Sequence, residues 1–199
     1  MTPVYKLSAS SVTGRTNYGS MLAGNPAFVL VGDFESIATI TVGSGGVASA
    51  TFSSIPATYT HLQIRYIARN EAAVDDLQLN FNNDSTGSNY AKHNLRGTGT
   101  TATAVGQIDI VPELPTVPYL GITANVYNAT VIDILDYADT NKNTTLRALG
   151  GYDANGSGQI WVTSGFWKNT AAVSTIKIYP SSGDINEYSH FALYGIKGA

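Results

Sequence analysis

About ten short stretches of this 199-residue chain repeat their apolar residues with a period of two, and no window sustains a helical period with caps. Leu62, Ile64, Tyr66 and Ala68 alternate with Gln63, Arg65 and Ile67. Leu77, Leu79 and Phe81 alternate with Gln78 and Asn80, and Ile176 and Ile178 with Thr175 and Lys177. A period of two places every second side chain on one face, so each run reads as a strand with one buried side. Further strands are expected at 89–96, 106–111, 122–136, 144–152, 159–167 and 190–197. Residues 37–42 and 47–53 flank Gly43-Ser44-Gly45-Gly46 and predict a hairpin. In the 122–136 run, Val131-Ile132 and Ile134-Leu135 break strict alternation, which predicts a bulge. In the C-terminal run both faces are apolar, so that strand is expected to be central or sealed rather than a free edge.

Between the runs lie turn clusters such as Asn82-Asn83-Asp84-Ser85-Thr86-Gly87 and Asp153-Ala154-Asn155-Gly156-Ser157-Gly158, rich in residues that tolerate positive φ. Many short strands with turns between them predict an all-β fold, a jelly-roll-like antiparallel β-sandwich. Only 13% of residues are charged, about half the usual share. Disordered chains share that trait but lack aromatics. This chain has 12 Tyr, 6 Phe and 2 Trp and is 43% hydrophobic, so it builds a core.

Residues 1–26 break the pattern. They are rich in Ser, Thr, Gly and Asn, and their apolar residues are scattered. They read either as a frayed terminus or as an extended N-terminal arm that orders against a neighbouring subunit or scaffold. In the second reading Tyr5, Leu7, Tyr18, Met21 and Leu22 are the assembly anchors. The domain division expected is therefore an arm at 1–26 and a β-sandwich at 27–199. No basic start followed by an apolar run marks an export signal, and the apolar stretch 27–31 is too short to span a bilayer. The expectation is a protein made in the cytoplasm without membrane insertion.

Few residues suggest chemistry. Eleven basic against 14 acidic residues give a net charge of -3, so no basic surface for nucleic acid is signalled. The absence of cysteine excludes disulfides, thiolate catalysis and cysteine-ligated metal. His61, His93 and His190 show no metal-ligand spacing, and no cofactor is expected. Asp75-Asp76 and Asp133/Asp136 are the close carboxylate pairs. The first reads as a loop and the second as a strand end, rather than as a glycosidase pair. Asp139-x-Asn141-x-Asn143 and Asp153-x-Asn155-x-Ser157 imitate the start of a calcium loop but lack its glycine and terminal glutamate, and read as turns. No nucleophile elbow, P-loop or dinucleotide fingerprint is present. Among the aromatics, Tyr127, Tyr152, Trp161 and Trp167 could serve a subunit interface or a glycan-binding face, or simply fill core and rim.

The run Ser54-Ile55-Pro56-Ala57-Thr58-Tyr59-Thr60-His61-Leu62-Gln63-Ile64-Arg65 is followed by Leu77-x-Leu79-x-Phe81-Asn82-x-Asp84 and Ser88-Asn89-Tyr90. The chain closes on Phe191-Ala192-Leu193-Tyr194-Gly195-Ile196-Lys197. This set resembles a group of small all-β virion proteins of tailed bacteriophages, found as tail, fibre or capsid-surface components. The resemblance runs from about residue 37 to the C-terminus and carries no catalytic motif. It implies a non-enzymatic virion protein, either a capsid-decorating module (cement or head fibre) or a tail-associated one, anchored by its arm and released by lysis. Its partners would be other virion proteins and copies of itself, with a trimer expected. The alternative is a carbohydrate-binding module of a tail fibre that recognises a host surface glycan.

Overall fold

The computed structural model describes residues 33–72, 76–109 and 122–198. The anchors Tyr5, Leu7, Tyr18, Met21 and Leu22, the arm at 1–26 and its boundary with the sandwich all lie outside the described residues. Eleven strands are present: β1 (Phe34–Thr41), β2 (Ala50–Phe52), β3 (His61–Ala68), β4 (Leu77–Phe81), β5 (Tyr90–Gly97), β6 (Ala102–Ile108), β7 (Asn128–Leu135), β8 (Thr144–Asp153), β9 (Gly158–Trp167), β10 (Ile176–Pro180) and β11 (His190–Ile196). The described residues contain no α-helix; one 3-10 turn, Gly87–Asn89, leads into β5.

The strands form two antiparallel sheets. The large one has the order β1-β11-β3-β7-β8-β9-β5-β6 and the small one β2-β10-β4. The architecture is an all-β antiparallel sandwich. The alternation read from sequence sets its interior. Leu62, Ile64 and Tyr66 of β3, Ile132 and Ile134 of β7, and Phe191 and Leu193 of β11 turn inward. They meet Leu77, Leu79 and Phe81 of β4 and Ile176 and Ile178 of β10. Across this layer Phe81 and Trp167 lie 5.5 Å apart between ring centroids, and within the large sheet the paired Tyr66 and Phe191 lie 5.2 Å apart. Each such side chain contributes about 1.5–3 kcal/mol on leaving water.

Two sequence expectations are corrected. β1 and β2 do not form a hairpin. β1 pairs with β11, Phe34 opposite Ile196, whereas β2 pairs with β10, Phe52 opposite Ile176. The glycines between them, Gly45 (φ 93°) and Gly46 (φ 69°), carry the chain around the corner from one sheet to the other. The bulge expected in β7 is absent too. β7 pairs without a register shift with both β3 and β8, and the irregularity lies in β1, between Ser36 and Ala38. Val131 and Leu135 belong in register and point outward. β11, by contrast, sits between β1 and β3, with Phe191 and Leu193 fully buried, as its two apolar faces predict.

Candidate functional site

The inner face of the large sheet is the core, and its outer face is not covered by the small sheet. Antiparallel sheets that face water usually carry polar residues there. This one does not. Of the eleven large apolar side chains exposed among the described residues, all but Val105 and Tyr188 lie on the outer face of the large sheet, at 37–77% exposure. The register aligns them into rows. Opposed pairings place Arg65, Val131, Leu149, Val162, Leu95 and Ala104 side by side across six strands. Two residues further along the strands, Ile67, Ala129, Gly151, Ile160, Gly97 and Ala102 form a second row.

The second row is shallow because four of its members, Ala129, Gly151, Gly97 and Ala102, have almost no side chain. With Arg65, Val131 and Leu149 of the first row it makes an open furrow of about 930 Å³, floored by Gly150 and Gly151 and closed at one end by the 153–158 turn. Gly151 is required there. Its φ is +155°, and a Cβ would lie 2.0 Å from the Gln159 carbonyl oxygen. At the other end Phe34 stacks on Tyr194 at 4.8 Å, and the Arg65 guanidinium lies 5.4 and 5.7 Å from the two ring centroids. Arg65 Nε donates to Gln63 Oε1 at 2.8 Å.

A polar row borders the apolar ones. Asp133 accepts from Gln63 Nε2 at 2.9 Å and from Arg147 at 3.0 Å. Partial burial works against ionisation of Asp133, but these hydrogen bonds and the charges of Arg147 and Arg65 outweigh it and hold the carboxyl below its usual range. Asp133 is thus a paired strand residue. Asp136 accepts from Lys142, and its backbone N–H donates to His61 Nδ1 at 3.0 Å. Asp139 and Asp153 each accept backbone N–H groups within their own turns, from Asn141 at 2.8 Å and from Asn155 at 2.7 Å. His61, His93 and His190 all fall on the outer face in separate rows. No cluster of three metal-ligating groups exists among the described residues.

The four aromatics singled out from the sequence part company. Trp167 is buried in the core, its Nε1 donating to Asp84 at 2.9 Å. Tyr127 is half-buried and donates to the Glu187 carbonyl oxygen at 2.9 Å. Tyr152 lines the furrow. Trp161 is buried on the inner side of β9, where it lines a hollow of about 190 Å³ with Asn94, Arg96, Thr103, Val105 and Gln107. The Arg96 guanidinium lies 5.6 Å from the Trp161 ring, and Asn94 Oδ1, Arg96 Nε and Trp161 Nε1 are buried without hydrogen-bond partners. The residues of the apolar outer face were missed as a site. Their signal was the doubled apolar pairs of β7, which place one member inward and one outward.

No protein-family model matches this chain, and no curated protein is similar to it.

Proposed function

We propose that this chain is a non-enzymatic structural module of a tailed-bacteriophage virion, displayed on the capsid or tail and anchored by its N-terminal arm. The observation that carries the reading is the apolar outer face of the eight-stranded sheet, which no strand among the described residues covers. Exposed apolar patches of this extent mark protein contact surfaces, and a particle component has many such contacts to make. The acidic side chains support the same reading, because Asp84, Asp133, Asp136, Asp139 and Asp153 hold turns and strand rows together. Deleting residues 2–24 tests it. The remaining domain should melt cooperatively and no longer enter particles, as read by electron microscopy of purified particles. Absence of the intact chain from the particles would retire the virion reading, and normal incorporation after the deletion would retire the arm.

A second reading, recognition of a glycan, is favoured by the hollow beside Trp161. Its unpartnered donors and acceptor suit a small polyol, since orphan polar groups of this kind gain most from a partner. A glycan array against the intact chain separates the two readings.

A further inference from the structure

We infer that the outer face of the eight-stranded sheet is where a second copy of this chain packs. The inference rests on the assembly role proposed above and names the surface that performs it. Area is the first argument. Eight strands about 4.8 Å apart, with seven-residue strands rising about 3.4 Å per residue, make a face of roughly 800 Å². That is about the area each partner contributes to a standard stable interface.

The second argument is that the face complements itself. Val131, Leu149, Val162 and Leu95 stand as a ridge on four neighbouring strands. Beside the ridge, on the same strands, Ala129, Gly151 and Gly97 leave a trough broken only by Ile160. Ridge and trough share one length and one spacing, so an identical molecule supplies the matching relief. Leu149 of one copy seats over Gly151 of the next, Val131 over Ala129 and Leu95 over Gly97, and Val162 meets Ile160 in an apolar contact where the trough is broken. Facing sheets pack about 10 Å apart with their side chains interleaved, and this relief provides for that. The Gln63, Asp133 and Arg147 row runs beside the ridge and supplies polar contacts within the face, and Arg65 and Tyr194 next to it are residue types that interfaces favour.

The test uses the full chain. Sedimentation or light scattering at micromolar concentration should give a mass of at least twice 21.0 kDa. Leu149→Lys, at a half-exposed position on the ridge, and Ala129→Leu, which fills the trough, should each return the mass to 21.0 kDa with cooperative melting retained. Val105→Lys, exposed but on the other side of the sheet, should leave the larger mass unchanged. The chain has no cysteine, so Leu149→Cys supplies a single thiol whether or not the charged variant folds. A bis-maleimide should cross-link it between copies, and should not cross-link Thr51→Cys on the small sheet. A monomeric wild type, folded ridge and trough variants that stay oligomeric, or equal cross-linking at both thiols would each overturn the inference. Particle incorporation is read separately. A wild-type monomer that still enters particles sinks this interface and spares the virion reading. An oligomer that never enters them does the reverse.

Discussion

Asp84 shows how one turn residue ties the two sheets. Its carboxylate accepts from Trp167 Nε1 at 2.9 Å, Asn89 Nδ2 at 2.7 Å and the Thr86 N–H at 3.0 Å. Its carbonyl oxygen accepts from Tyr90 Oη at 2.8 Å, and that hydroxyl in turn accepts from the Phe81 N–H at 3.0 Å. Desolvation pushes the carboxyl up, but the donors outweigh it and lower its pKa from 3.8 to about 2. The folded state therefore binds this proton less readily than the unfolded state. The stability it contributes is complete above about pH 4 and disappears as pH falls towards 2. Asp84→Asn should cost about 1–2 kcal/mol at neutral pH, since solvent around the partly exposed side chain screens its interactions. It should cost little near pH 2. Urea melts at both pH values check this, and an equal loss at both would contradict it. In the sequence Asp84 stood in a polar turn cluster and in the run that carries the resemblance, with nothing to mark it as a hub of hydrogen bonds. Its three donors come from residues 86, 89 and 167, and nothing local announces the last of these.

At the scale of elements, β11 decides the large sheet. It is the one strand joining β1 to the rest, and it buries Phe191 and Leu193 between the sheets. Phe191→Ala or Leu193→Ala should each cost about 2–5 kcal/mol in denaturant melts, the range for emptying a fully packed site. A loss well under 1 kcal/mol for both would mean that the strand is peripheral. Strand positions and inward faces were legible because a period of two is a local signal. Pairing was not, because it depends on residues far apart in the chain. Nothing between 37 and 53 distinguishes a hairpin from a corner, since a glycine-rich link suits both. The β7 pairs Val131-Ile132 and Ile134-Leu135 were misread for a related reason. A strand apolar on both faces and a bulged strand look alike until the neighbours are known, and here the neighbours show that the outer residues form a surface of their own.

For the whole molecule, the same pairing that closes the large sheet sets when it can close. Phe34 lies opposite Ile196, and β3 has β11 on one side and β7 on the other. Contacts of such long sequence separation make folding slow. Refolding from denaturant should take milliseconds to seconds, and microsecond refolding would be incompatible with this topology. On a ribosome adding about 5–20 residues per second, the interval between completion of β3 and emergence of β11 is on the order of ten seconds. Through that interval β3 offers an unsatisfied backbone edge and the apolar residues of its inner face, Leu62, Ile64 and Tyr66, to every other nascent chain nearby. Soluble yield should therefore fall with crowding of the translating polysome and recover when synthesis is cooled or a holdase chaperone is supplied. The vulnerability lies in the order in which the strands are made, before any finished molecule exists.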